Sequence, residues 1–403
     1  MTDDVVDLDV EERRLKLQRG LQRKSPDKIQ AQLLDLPDPI KAIPRRQWLY
    51  GQHYVRGFMS CTIGTGGVGK SNLILAEALA MASGHDLLGH PVEKPLKIWV
   101  HNGEDPKDEL LRRFAAACIH YDLRREDYYG RLFVTSGRTM PILVAGMRHF
   151  DVVQNGAVVN QIKESIVANG IDVFCADPLA ACHSVEENSN MAMGSVIRIF
   201  CDIAEDCDCA VELLHHPRKP NGQETEVEHA RGASALIAAS RSARALNVLS
   251  KDEHSKWRFT GNRRAYFKVL NGKANLTLPP DDGEIFQILT VALGNGENDA
   301  PGDLVGVVNR RYPQSAADEL SEEQIRDLLA ALAIGGPWRE DQRATDQPWV
   351  GTVIARVLKL DISSEAGKWQ VATLIKNWLE TGRLVRRQLR GQNRHWHWYI
   401  EPG

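Results

Sequence analysis

No apolar run in this chain approaches the roughly 18 residues that a membrane-crossing helix needs, so no membrane span is expected. The acidic start, Met1-Thr2-Asp3-Asp4, lacks the charge pattern of a secretory leader, and the expected location is cytoplasmic. The seven cysteines (61, 118, 175, 182, 201, 207 and 209) form no C-x-x-C pair. Cys207 and Cys209 are one residue apart, with no second pair at zinc spacing. Reduced thiols are therefore expected, with neither a disulfide framework nor a structural zinc site. Positive charge is not in excess either: 50 Lys and Arg face 53 Asp and Glu, a net charge of −3. Any contact with nucleic acid has to be local. What is present is a globular composition, 43% hydrophobic and 26% charged, in 403 residues. That length predicts two or three domains.

The chain is organised around Gly64-Thr65-Gly66-Gly67-Val68-Gly69-Lys70-Ser71, which fits the phosphate-binding pattern G-x-x-x-x-G-K-[ST]. An apolar run precedes it and a helix-like run, 72–81, follows it. The glycines let the backbone take positive φ, and successive N–H groups then line a concave nest at a helix N-terminus. Lys70 would reach the β- and γ-phosphates of ATP, and the Ser71 hydroxyl would bind Mg²⁺.

Residues 1–45 are charged and interrupted by Pro26, Pro37, Pro39 and Pro44, which predicts either an arm or linker used in subunit contacts or a disordered tail. From residue 46 to 295 strand and helix signals alternate, the pattern of a parallel sheet wrapped by helices. Strands are expected at 55–63, 96–100, 132–134, 171–176 and 210–214, and short hairpin strands at 245–249, 257–260, 265–270, 274–278 and 284–293. Asp105 before Pro106 predicts a capped helix start, and Asp172 sits at a strand entrance. The glycines and prolines of 296–318 read as a linker. In 319–403 three helices and a hairpin suggest a small α+β, winged-helix-like domain.

Ligands bind at the carboxyl ends of parallel strands, where Lys70, Glu104, Asp177 and His216 all fall. Asp177, ending an apolar strand, would hold Mg²⁺. Glu104 is the candidate to orient or deprotonate water. His216 either senses the γ-phosphate by hydrogen bonding or is structural. Arg231, Arg241 and Lys273 are either surface cations or cations that reach a neighbouring subunit's γ-phosphate. The C-terminal hairpin carries Arg386, Arg387, Arg390 and Arg394 among Trp396, Trp398 and Tyr399, with no acid between 383 and 399. Such a surface can hold phosphates and stack bases, or it is a solvated cationic face over buried aromatics.

The series Gly64 to Ser71, Glu104-Asp105, Asp177, His215-His216-Pro217-Arg218-Lys219, Arg231-Gly232-Ala233-Ser234 and Lys273-Ala274-Asn275 resembles, in this order, the RepA-type hexameric helicases of plasmids and phages. The resemblance covers about residues 46–295 and implies a RecA-like P-loop ATPase fold. It implies a ring, a hexamer, with ATP and Mg²⁺ held between subunits, moving along single-stranded DNA beside replication-protein partners. By match it makes Glu104 the catalytic glutamate, Asp177 the metal-site aspartate and His216 the sensor. Arg241 and Lys273 become cations supplied in trans. The N-terminal arm and the C-terminal domain depart from a minimal helicase of this type. A regulatory or loader ATPase, whose nucleotide state controls DNA or partner binding through the winged helix, is the alternative. A small-molecule kinase ranks below both, because no acceptor-substrate motif is evident.

Overall fold

The computed structural model describes residues 31, 33–149, 151–217, 234–257, 259–277, 283–296, 302–311, 320–340, 348–362, 365–390 and 396–403. The chain divides into two compact units, Met1–Leu249 with Asn262–Arg311, and Ser250–Gly261 with Tyr312–Gly403.

The first unit opens with β1 (Trp48–Tyr50), β2 (Tyr54–Val55) and β3 (Met59–Gly64), followed by α1 (Lys70–Ser83) and β4 (Ile98–Asn102). Next come α2 (Lys107–His120), α3 (Arg125–Tyr128), β5 (Leu132–Ser136), β6 (Ala145–Arg148) and β7 (Asp151–Gln154). Then follow α4 (Gly156–Asn169), β8 (Val173–Asp177), β9 (His183–Ser184), α5 (Asn190–Asp206) and β10 (Ala210–His215). The last first-unit helix is α6 (Ser234–Ala239), before β11 (Ser242–Val248). The second unit contributes α7 (Lys251–Lys256) before the first resumes with β12 (Tyr266–Ala274), β13 (Glu284–Ala292) and β14 (Leu304–Arg311).

Nine strands form one sheet in the order β14-β13-β12-β11-β3-β10-β8-β4-β5. From β11 to β5 neighbouring strands are parallel, and β12, β13 and β14 extend the sheet antiparallel. β3, β4, β8 and β10 are buried along their whole length, as parallel strands covered on both faces must be. One face packs Cys61, Ile63 and Phe174 under Ile162 and Ile166 of α4 and Val196 and Phe200 of α5. The other packs Ile98, Val100 and Val173 under Ile74 and Leu79 of α1 and Phe114 of α2. The Ala- and Leu-rich sequence of α1 favours helix, and Gly84, at φ 78°, ends it by donating its N–H to the Ala80 carbonyl.

Three sequence expectations change. The stretch 296–318 is not all linker: Leu304–Arg311 pairs with β13 along its length and buries Val305, Val307 and Val308. The glycines before it mark a turn, closed by the Asp303 N–H donating 2.8 Å to Oδ1 of Asn295. The strand expected at 257–260 is instead preceded by α7, which Ser250 and Glu253 start as a reciprocal capping box, and β12 runs unbroken through 274. Asp105 does not cap α2 either; Pro106 holds the cap position and the Asp105 carboxylate pairs with Arg113 at 3.1 Å.

The remainder of the second unit runs α8 (Glu322–Gly335), β15 (Trp338–Arg339), α9 (Val350–Leu358), α10 (Glu365–Glu380), β16 (Leu384–Arg390) and β17 (Trp396–Pro402). Ser321 and Gln324 form a reciprocal capping box at the start of α8. The strands make an antiparallel sheet in the order β15-β17-β16. The helices close over Leu384 and Ile400 with Leu328, Ile354, Leu374 and Trp378. The residues expected as an N-terminal arm lie mostly outside the described residues, as do Arg218, Lys219, Arg231 and Arg394.

Candidate active site

β3 delivers the glycine-rich loop to the sheet's carboxyl edge. Gly67 and Gly69 have φ of 77° and 113°, in the region where only glycine rests easily. At Gly69 a Cβ would also come 2.9 Å from the Phe267 ring. The first turn of α1 holds no acid, so its N–H groups and dipole present unopposed positive charge.

The register brings other strand ends to the same edge. Asn102, ending β4, is opposite Asp177, ending β8, and His215 of β10 is opposite Ile63. Sequence reasoning gives Asn102 no role of its own, yet it places Glu104. Its Oδ1 accepts from the backbone N–H of Glu104 at 2.9 Å and of Asp105 at 2.7 Å. An Asn-Gly pair leading into two acids is the signal for such a side-chain turn. Gly103 donates its N–H 2.7 Å to the Asp177 carbonyl, and a Cβ there would fall 2.3 Å from the Cβ of Ala181. The Arg138 guanidinium donates 2.7 Å to the Glu104 carbonyl. Lys70, Ser71, Glu104 and His216 line one cleft of about 500 Å³, whose lining also includes Ile288 and Gly306. That volume suits a nucleotide-sized ligand.

The Lys70 ammonium donates to the carbonyls of Gly64 (2.5 Å) and Thr65 (3.0 Å) and approaches Nδ1 of His216 at 2.9 Å. Burial lowers the Lys70 pKa to about 8, against the pull of Asp177 and Glu104. Burial also raises Asp177 to about 6, although the Ser71 hydroxyl donates to it and Lys70 lies near. His216 is held below the ordinary histidine value by burial and by Lys70. A buried carboxylate whose charge is poorly compensated, bonded to the Ser71 hydroxyl beside the phosphate loop, fits a magnesium site. Mg²⁺ is commonly held by one or two protein oxygens plus phosphates. Among the described residues no group of three His, Cys, Asp or Glu side chains forms a self-sufficient metal cage.

Arg241 and Lys273 are not part of this cleft. The Arg241 N–H bonds the Met59 carbonyl at the opposite end of β3, a strand of six residues, hence roughly 15–20 Å away. Arg241 is exposed, with its guanidinium 5.7 Å from the Phe58 ring centroid. Lys273 caps the end of α6 by donating to the carbonyls of Ile237 (2.7 Å) and Ala238 (2.8 Å). In the second unit Arg386 is gripped by Glu340 (2.6 and 2.8 Å), and Arg387 lies 3.5 Å from Glu401. The acid-free interval 383–399 is thus answered by acids from outside it, Glu340 on the far side of two helices in sequence and Glu401 just beyond its end.

Residues 25–222 match the family model described as an AAA domain. Among solved structures, one titled "Crystal structure of the RadB recombinase" is similar over 59% of this chain and 89% of that one, with 14% identity and a TM-score of 0.40. The sheet order and the glycine-rich loop give the first unit an α/β P-loop fold with a mostly parallel central sheet, and most of the AAA-domain match falls within it. The chain adds to it a small antiparallel-sheet unit at its C-terminus. Among the described residues no helix is long and apolar enough to cross a membrane.

Proposed function

We propose that this protein is a ring-forming, ATP-hydrolysing motor of the RepA helicase type that moves on single-stranded DNA. The observation that carries the reading is the division of its polar residues. Lys70, Ser71, Glu104, Asp177 and His216 meet at one edge of the sheet, while Arg241 and Lys273 lie at the other. Two cations far from their own cleft are what a site completed by a neighbouring subunit requires.

The backbone N–H groups of Gly64 to Ser71 cradle the phosphates, and Lys70 swings from the loop carbonyls to the β- and γ-phosphates. Ser71 and Asp177 are the residues that would hold Mg²⁺, which when bound neutralises charge on the phosphate oxygens. Glu104, fixed by Asn102, orients the attacking water. Because Lys70 donates to Nδ1, the neutral His216 ring carries its proton on Nε2 and can donate to the γ-phosphate. The exposed side chains of Leu33, Leu34, Leu36, Ile40 and Ile43 support an N-terminal segment that packs on the neighbouring subunit of a hexamer.

One observation favours the regulatory or loader ATPase as a second reading. The helix–strand order and the β15-β17-β16 sheet of the second unit suit a winged helix, and two of its wing arginines already hold acids. That wing is better suited to a protein partner than to phosphates. ATP turnover with and without single-stranded DNA, on the assembled particle, separates the two. DNA-stimulated turnover supports the motor, and slow DNA-indifferent turnover supports the regulator.

A further inference from the structure

A buried polar cluster lies behind the glycine-rich loop, and the chemistry at the cleft does not use it. Alternation along β3 turns Cys61 and Ile63 to one face and Ser60 and Thr62 to the other, toward α1. In register, Ser60 sits between Glu212 of β10 and Ser242 of β11, and Thr62 beside Arg244 of β11. Arg244 is 4% exposed, Glu77 of α1 is 3%, and Thr62 and Glu212 are fully buried. The Arg244 fork donates from Nη1 and Nη2 to the two Glu77 oxygens at 2.6 and 2.7 Å, and from Nε to the Thr62 hydroxyl at 2.8 Å. The Thr62 hydroxyl in turn donates a hydrogen bond to Glu212, which also accepts from Ser60 and pairs with His53 at 3.0 Å. The Tyr54 hydroxyl donates to Glu77 at 2.5 Å.

The loop from Gly64 to Gly69 joins β3 to α1, so its shape follows from where those two elements are held. Thr62 lies two residues before the loop. Glu77 lies seven residues past Lys70, about 10 Å along the helix. One guanidinium touches both. Its planar, bidentate geometry fixes the height and rotation of α1 over β3, which a point charge does not. An apolar layer here would be at least as stable, because burying ions costs desolvation that pairing rarely more than offsets. Stability alone is therefore a poor reason for the cluster. Glu212 also ties in β10, the strand that leads to His216.

We propose that Arg244 is a positioning residue for the nucleotide phosphates. Through Glu77 and Thr62 it sets the N-terminus of α1, and so the aim of Lys70 and Ser71, against β3 and the strand that delivers His216. This rests on the reading that Lys70 and Ser71 hold the phosphates.

The test compares Thr62→Val with Thr62→Ser, and adds the apolar pair Arg244→Met/Glu77→Met. Each variant is measured for melting temperature, affinity for a fluorescent N-methylanthraniloyl-ADP, and ATP turnover. Thr62→Val removes the bridging hydroxyl at nearly constant shape, and Thr62→Ser keeps it. The expected result is that Thr62→Ser matches the wild type, while Thr62→Val melts within a few degrees of it but loses about tenfold in affinity or turnover, as a small misplacement of reacting groups does. If it folds, the apolar pair keeps the wild-type melting temperature and shows the same loss. Equal activity in the two Thr62 variants overturns the proposal. So does an apolar pair with wild-type melting, affinity and turnover. Nucleotide affinity that is unchanged in Lys70→Ala instead sinks the reading of the cleft, whatever the Thr62 variants do.

Discussion

Nζ of Lys70 lies 2.9 Å from Nδ1 of His216, across the parallel strands β3 and β10. An ammonium has no lone pair, so the imidazole is the acceptor and the ring is neutral. Lys70 and burial together hold the His216 pKa below its usual value. Drawing Lys70 away toward phosphate removes one of those two causes, and the phosphate's negative charge adds an opposite one. His216 is therefore expected to titrate at higher pH in Lys70→Ala than in the wild type. It should also move upward when a non-hydrolysable ATP analogue binds. The histidine Cε1–H resonance followed through a pH titration measures both shifts.

Asp177 gives a prediction of opposite sense for stability and activity. Its folded-state pKa, about 6, exceeds the ordinary carboxylate value of 3.8 because burial disfavours the charged form. Between those two values the folded state binds more protons than the unfolded one, so the group's contribution to stability falls as pH rises from about 4 to 6. At neutral pH the ionised carboxylate is a liability in the nucleotide-free protein. Asp177→Asn should raise the melting temperature at pH 7.5, by an amount equivalent to at most about 3 kcal/mol, and abolish magnesium-dependent turnover. The melting gain should vanish below pH 4. A lower melting temperature at pH 7.5 would mean that the Ser71 bond outweighs the burial cost.

Asn102 is expected to act as a positioning residue, since its side-chain oxygen accepts from the backbone N–H groups of Glu104 and Asp105. Asn102→Ala leaves the phosphate cradle intact. It should lower kcat about tenfold with little change in KM, the signature of a misplaced catalytic group rather than lost binding. Asn102→Asp, which keeps the acceptor oxygen, should recover most of the loss. A raised KM with unchanged kcat would show that Asn102 serves binding instead.

The fold was legible where chemistry or periodicity is local. The eight-residue loop from Gly64 to Ser71 announces itself, and so does an apolar strand ending on Asp177. β14 was hidden because the glycines that form its turn look the same as those of a linker. Asp105 looked like a cap because Arg113, eight residues on, competes for its carboxylate only once α2 is formed. The Arg244–Glu77 pair was invisible for a simpler reason. Its partners stand 167 residues apart, and a glutamate in an alanine-rich helix reads as solvent-facing until the sheet is assembled.

Arg241 is expected to act on the neighbouring subunit's nucleotide. Arg241→Ala and Glu104→Gln should each lower turnover by about 10²-fold or more, within the range for lost charge stabilisation and lost base catalysis. Mixed together, the two inactive proteins should regain activity. Some interfaces then pair an intact Glu104 with an intact Arg241. Recovery in the mixture, measured against the mean of the two separate proteins, supports the trans arrangement. No recovery, in particles shown by native mass to have exchanged subunits, would place the Arg241 effect within its own chain.

The central claim is tested most directly by ATP hydrolysis of the assembled protein, with and without single-stranded DNA, beside Lys70→Ala. The account predicts turnover that rises severalfold with single-stranded DNA and disappears in Lys70→Ala. Turnover that survives in Lys70→Ala would contradict the cleft as the site of hydrolysis. Turnover that depends on Lys70 but ignores single-stranded DNA would contradict the motor.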